Sequence, residues 1–324
     1  MRVFSGIQPT GKLHLGNYFG AISQFIELQK ENECIFSIVD LHAITVPYSP
    51  KDLQKNVLET AISFLALGIN PEKSIIFIQS QIKEHTELAW LLGTLAPIGD
   101  LLRMSQYKEK QKQYQGQAGA GLLNYPILQA ADILLYKAEL VPVGEDQKQH
   151  IEFARELARR FNKKFGLTFP EPKIKIPKFG AKIMDLKDPT KKMSKTRPEG
   201  CLFIFDNEKE IKKKIMSAVT DTQKVIKYDP KRKPGISNLL VIYSLFSKEP
   251  IEKIQEKFKE GSYEKFKKSL VEIVIKSLKP LWDKRENLLK REVFVKEILE
   301  RGKQKAQTIA QSTIKEVKAK MGLI

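Results

Sequence analysis

Two segments of the chain carry residue types suited to phosphate chemistry. The first, Phe4-Ser5-Gly6-Ile7-Gln8-Pro9-Thr10-Gly11-Lys12-Leu13-His14-Leu15-Gly16-Asn17-Tyr18, joins an expected strand to an expected helix. Glycines at 6, 11 and 16 permit tight turns and close backbone approach to a ligand. The helix that follows turns its first amides toward whatever lies in the crevice, which suits an anion. His14 and Asn17, three residues apart, are both able to donate to phosphate oxygens. The second segment, Lys191-Lys192-Met193-Ser194-Lys195-Thr196, lies between Asp188-Pro189 and Arg197-Pro198 and reads as a loop. Lysines placed there can stabilise negative charge that builds on a departing phosphate group. Alone, each segment also fits an ordinary turn; the pair in this order points to a nucleotide.

Two further stretches bear on recognition. In Val143-Gly144-Glu145-Asp146-Gln147-Lys148-Gln149-His150 a strand ends and a helix begins. Gly144 allows close approach, and a carboxylate at 145 or 146 can accept from ribose hydroxyls or cap the helix. Tyr125, Gln129 and Asp132 fall at i, i+4 and i+7, on one helix face. Asp132 is a lone acid within Ala130-Ala131-Asp132-Ile133-Leu134-Leu135-Tyr136, where an unpaired buried carboxylate is costly. Its partner is expected to be a ligand N–H or a buried Arg or Lys. Gln129 on the same face can hydrogen-bond Tyr125 or Asp132.

The elements that must position these residues alternate. Strands are predicted over 2–6, 34–40, 74–79 and 140–143, and helices over 16–29, 51–67, 84–95, 126–136 and 147–161. This alternation predicts an α/β fold, a Rossmann-like doubly wound parallel sheet with ligands beyond the carboxyl ends of its strands. Residues 97–121 read as an insertion with a mobile loop. From Glu208 onward only helical spacing remains, as in Leu270, Val274, Leu278 and Leu281, which predicts a C-terminal α-helical domain.

Of the 324 residues, 42% are apolar, enough for a substantial core. Lys and Arg number 56 against 38 Asp and Glu, leaving +18, of which +12 falls in residues 201–324. Such an excess favours acidic partners, nucleic acid among them, unless the lysines only solvate helix faces. The two cysteines and four histidines show no zinc spacing and no disulfide framework. With no signal segment and no long apolar run, a cytoplasmic protein is expected.

The first segment resembles the His-x-Gly-His signature of class I aminoacyl-tRNA synthetases, with Asn17 in place of the second histidine as in the tryptophanyl branch. Ser5 to Pro9 and Leu15 to Tyr18 closely resemble that branch, and Val143 to Gln147 resembles the family. The lysine segment resembles Lys-Met-Ser-Lys-Ser, Thr196 keeping the hydroxyl. Lys231 to Leu240 fits as well, so the resemblance runs from residue 4 to about 245.

The resemblance implies activation of L-tryptophan by ATP to tryptophanyl-adenylate and pyrophosphate, then transfer to tRNA(Trp), with no covalent nucleophile. Around ATP it implies Gln8, Pro9, Thr10, Gly16, Asn17, Gly144, Glu145, Asp146, Ile183, Lys192, Met193, Ser194, Lys195 and Thr196. Lys192, Lys195, Lys110, Gln8 and His14 are the expected catalytic residues, Lys110 by reaching the triphosphate on closure. Around tryptophan it implies Phe4, Gly6, His42, Tyr125, Gln129, Asp132, Val143 and Gln147. Asp132 would read the indole nitrogen, Phe4 and Val143 would line the apolar pocket, and His42 would lie near the substrate's polar end. Many relatives carry Met where Gln129 stands, and Gln occurs at the similar helix of tyrosyl enzymes, so tyrosine is the alternative substrate. A non-catalytic tRNA- or RNA-binding paralogue and a small-molecule nucleotidyltransferase are rival readings from different classes. Mg²⁺ is expected on the ATP phosphates, with no metal held by the protein. The expected domains are 1–207, catalytic, with the insertion and the loop 188–198; 208–289, reading the anticodon; and 290–324, helices placed to pack back on the catalytic part. A homodimer is expected through the insertion, with neither membrane nor DNA as partner.

Overall fold

The computed structural model describes residues 1–114, 119–176, 183–223 and 225–324. Five strands, β1 (Arg2–Ile7), β2 (Glu33–Ile38), β3 (Ser74–Ile78), β4 (Leu140–Pro142) and β5 (Lys173–Lys175), form one parallel sheet in the order β3-β2-β1-β4-β5. Phe4 pairs with Ile35, Ile35 with Ile75, and Val3 with Leu140. The nearly continuous apolar runs of β2 and β3 are what strands covered on both faces require. From β1 the chain winds outward to β3, then returns to β4 on the other side of β1. The Rossmann-like switch point therefore lies between β1 and β4, ahead of Gln8 and Gly144.

β5 is the strand that the sequence pattern does not predict. Lys-Ile-Lys is three residues long with both lysines exposed, so it offers no apolar run to detect. The expected helix at 126–136 begins earlier, at Ala120, and takes Pro126 into its interior. The helical stretch expected over 16–29 is built as Leu15–Asn17, a π-helical turn at Tyr18–Ile22, and Ser23–Leu28. Within 97–121 two helices form, Ile98–Arg103 and Ser105–Gln113; the centre of the expected loop, 115–118, is outside the described residues.

The chain divides into two compact units. One contains Met1–Gly11, Gln24–Ile176 and Leu288–Ile324, and holds the sheet. Its core joins Phe77, Leu88, Ile133, Leu134 and Tyr136 to Ala306, Ala310 and Ile314 of the last helix, Glu292–Met321. That helix lies against β3 at Gly302, where an added Cβ would stand 1.9 Å from the carbonyl oxygen of Ile76. The other unit contains Lys12–Ser23 and Pro177–Asn287. Its helices include Glu208–Met216, Pro234–Ser247, Ile251–Lys257 and most of Tyr263–Leu289. Tyr243, Phe258 and Phe266 pack ring against ring in its core, with centroids 5.2–5.7 Å apart. The segment Lys12–Ser23 joins this unit through backbone bonds, Leu15 N–H to Leu202 O and Ile204 N–H to Leu13 O, both 3.0 Å. No helix among the described residues is long and apolar enough to cross a membrane.

Because the atom in the way at Gly302 is backbone, no rotamer change relieves it. Gly302→Ala should cost about 2 kcal/mol or more of stability, read as a lower urea midpoint. An unchanged midpoint would mean that the helix does not seat on β3 in this way.

Candidate active site

In the unit that holds the sheet, Asp132 sits on the buried face of the Ala120–Leu135 helix and is 1% exposed. Among the described residues neither Arg nor Lys partners it, contrary to one arm of the sequence expectation. His42 Nε2 meets Oδ2 at 2.8 Å, while His85 Nδ1 and Gln79 Nε2 meet Oδ1 at 2.6 Å and 2.7 Å. Burial works to raise the carboxyl pKa; the bonds from His42 and His85 outweigh it and hold the group ionised, at about 2. The donors come from separate segments. His42 belongs to the turn Asp40–Ala43 after β2, Gln79 follows β3, and His85 opens the Glu84–Gly93 helix. Gln79 is anchored at its other end, its Oε1 accepting from Leu41 N–H at 3.1 Å. The Tyr136 hydroxyl stands 2.9 Å from His85 Nε2, and the Tyr136 ring stacks on Phe4.

Tyr125, seven residues before Asp132, is buried with its hydroxyl 2.7 Å from His150 Nε2. Burial, reinforced by the charge of Lys110, lowers His150 to a pKa of about 4, so it is neutral at pH 7. Lys110, in the last turn of the Ser105–Gln113 helix, is half-buried: its Nζ lies 4.9 Å from the Tyr125 ring centroid, and burial lowers its pKa. Gln129 bonds neither Tyr125 nor Asp132, so that alternative does not hold. Its side-chain amide donates to Gln147 Oε1 at 3.3 Å, because the helix face it occupies turns toward the end of β4.

Gln147 in turn donates to Asp146 Oδ2 at 3.1 Å, and Gln106 donates to the Asp146 carbonyl at 3.0 Å. The turn Glu145–Gln147 and the helix after it have no side-chain cap, so neither acid is spent on capping. At β1, Gly6 packs closely on Val39: an added Cβ would meet Val39 Cγ1 at 2.6 Å and force that side chain to shift. Val143 is half-buried, Gln8 half-buried, Pro9 buried and Thr10 exposed.

In the other unit His14 and Asn17 form a reciprocal cap. Gly16 N–H donates to His14 Nδ1 at 3.0 Å, and His14 N–H donates to Asn17 Oδ1 at 3.1 Å. Two consequences follow from the donor inventory. His14 carries its proton on Nε2, and Asn17 keeps its NH₂ group, so each presents a donor away from the backbone. Burial lowers the His14 pKa to about 4, with Lys195 and Lys192 adding to the effect, so the ring is neutral. The lysine loop is pinned by Met193, which is buried and bonds Ile183 O through its N–H at 2.9 Å. Arg197 ties Asp185 to the Lys192 carbonyl, at 3.1 Å and 2.7 Å. Lys191 is engaged with Asp188 at 2.8 Å, Ser194 and Thr196 bond each other at 2.9 Å, and burial lowers the pKa of Lys195.

Sequence reasoning missed Gln79, His85, Tyr136, His150 and Gln106. The available signal was weak: Gln79 is a polar residue directly after an apolar strand, and all four histidines prove to be buried. Among the described residues no group of three or more His, Cys, Asp or Glu is arranged to hold a metal ion.

With this geometry in place, the comparisons with known proteins are specific. Residues 1–279 match the family model described as tRNA synthetases class I (W and Y). A tryptophan–tRNA ligase of Caldanaerobacter subterraneus is 49% identical, over 100% of this chain and 98% of its own. The crystal structure of tryptophanyl-tRNA synthetase from Mycoplasma pneumoniae is 37% identical with a TM-score of 0.91, covering 100% of this chain and 98% of that one. The Campylobacter jejuni enzyme, complexed with ADP and tryptophan, is 38% identical with a TM-score of 0.87 and covers 100% of both chains. The chain belongs to the class I tRNA synthetases of the tryptophan and tyrosine group. Within that group, these three relatives are tryptophan enzymes.

The two depressed histidines give stability a pH dependence. Between pH 6.5 and about 4 the unfolded chain binds protons at His14 and His150 that the folded chain refuses. Their contribution is therefore complete above pH 6.5 and is lost as pH falls toward 4. By pH 5.5, before carboxylates titrate, each should cost about 1 kcal/mol. Urea midpoints at pH 7 and pH 5.5 should differ less in His150→Asn than in the wild type; equal drops would contradict a neutral buried His150.

Proposed function

We propose that the protein is a tryptophan–tRNA ligase. A carboxylate oxygen of L-tryptophan attacks the α-phosphorus of ATP, which enters with Mg²⁺ on its phosphates. The bond to the bridging oxygen breaks and pyrophosphate leaves. A terminal ribose hydroxyl of tRNA(Trp) then attacks the acyl carbon of the adenylate, forming the ester and releasing AMP.

The observation that carries the activation step is the reciprocal cap of His14 and Asn17 in the same compact unit as Lys192 and Lys195. A neutral N–H, an amide and two ammonium groups are the donors that phosphate oxygens need as charge develops on them, and no nucleophile is required. Lys110 is a further cation for the triphosphate, and Gly144 and Asp146 take the ribose. Tryptophan rests on Asp132, an ionised carboxylate on a buried helix face near Phe4 and Tyr125. A site that bonds a substrate N–H rejects an amino acid without one by about 10⁴-fold.

The helices over 208–289 are the anticodon reader, consistent with the basic excess of the C-terminal third. Homodimer formation is supported by an apolar groove of about 690 Å³ lined by Trp90, Ile98, Leu101 and Ile127, at which Trp90 is 77% exposed. The cytoplasm is its proposed place of work.

In ATP–pyrophosphate exchange with the purified protein, tryptophan should be the amino acid that supports turnover. Exchange with tyrosine in its place would overturn the substrate. Lys195→Ala should lower the adenylation rate about 10²- to 10³-fold with tryptophan affinity nearly unchanged. The reverse split would remove its role in the transition state.

A further inference from the structure

Asp132 is met by three donors among the described residues, and their distribution is uneven. A carboxylate offers about four lone-pair directions. Gln79 at 2.7 Å and His85 at 2.6 Å occupy Oδ1, whereas Oδ2 receives only His42 at 2.8 Å. We infer that Gln79, His85 and Tyr136 are positioning residues for amino-acid specificity, saturating Oδ1 so that a single direction on Oδ2 is kept for one substrate N–H. The inference rests on the tryptophan reading above.

Each of the three is fixed from behind. Gln79 cannot turn its amide over, because its oxygen already accepts Leu41 N–H at 3.1 Å. Asp132 is ionised and accepts only, so His85 must carry its proton on Nδ1. The Tyr136 hydroxyl, donating to Nε2 at 2.9 Å, enforces that tautomer. Packing holds the chain of donors in place. Tyr136 stacks on Phe4 with centroids 5.5 Å apart and lies 5.6 Å from Phe77, and Phe77 stacks on His85 at 5.7 Å. Gln79, His85 and Tyr136 are each 0% exposed, so water does not compete for the carboxylate. An oxygen that is held rigidly with one open direction accepts one N–H in one orientation. A substrate without that N–H leaves a desolvated anion short of a donor.

The test uses ATP–pyrophosphate exchange with tryptophan and with its benzothiophene isostere, 3-(benzothiophen-3-yl)alanine, in which sulfur replaces the ring N–H. Wild type should prefer tryptophan by about 10⁴-fold in kcat/KM. Tyr136→Phe keeps the ring stack and removes only the hydroxyl; it should reduce that preference about tenfold or more. His85→Leu should reduce it further, and His85→Asn, whose amide stands near the place of Nδ1, should recover much of it. If His85→Leu fails to fold, Tyr136→Phe and His85→Asn carry the test. A fall in rate for both substrates with an unchanged ratio marks a structural role and overturns the inference. Loss of the preference already in the wild type would instead remove the tryptophan reading on which it rests.

Discussion

A carboxylate taken out of water is either given donors or forced to hold a proton. Asp132 takes the first course, and much of the sheet-bearing unit is arranged to permit it. The turn after β2 supplies His42, the end of β3 supplies Gln79, and the helix that follows supplies His85. Three connections that could vary independently are thereby brought to one point beneath the Ala120–Leu135 helix. Phe77 and Tyr136, with Phe4 stacked on Tyr136, pack against His85, so apolar packing and the polar network fix each other. Breaking one partner of such a network costs more than its own hydrogen bond, because the others lose their geometry.

The second unit leaves donors, rather than acceptors, facing away from the backbone at its two capping residues. His14 and Asn17 spend their acceptors on each other and on the adjacent backbone, so donors are what each has left. Burial and the lysine charges keep His14 neutral, and a neutral ring is a donor that adds no repulsion to a cationic site. Met193 and Arg197 anchor the loop that carries Lys192 and Lys195. One unit is thus organised around an anion of the protein, while the other holds a neutral donor cap and a lysine-bearing loop.

Much of this was legible in the sequence, and the remainder failed for physical reasons. The apolar runs of β2 and β3 and the stripe of the Pro50–Leu67 helix are local patterns, and they predict the sheet. That Asp132 needed a partner was also legible, since a lone acid within Ala-Ala-Asp-Ile-Leu-Leu demands one. The identity of the partners was not: they stand 90, 53 and 47 residues away, and no periodicity links them. His-x-x-Asn occupies the N-cap and N3 positions of a capping box, but with unusual residue types, so its reciprocity showed only in the structure. β5 escaped because an exposed three-residue edge strand takes its place from the neighbour it pairs with rather than from its own residues. Gln129 was read by helix face alone, whereas its amide was settled by Gln147 from the next element.

An ionised, pre-positioned Asp132 that accepts one N–H from the substrate has a direct spectroscopic signature. Tryptophan labelled with ¹⁵N at the indole nitrogen, bound to the protein and followed by proton–nitrogen correlation spectroscopy, reports on that bond. The indole proton should move downfield on binding and exchange slowly with water, and both effects should vanish in Asp132→Ala. A bound indole proton with the shift and exchange rate of free tryptophan would contradict a hydrogen bond from the substrate to Asp132.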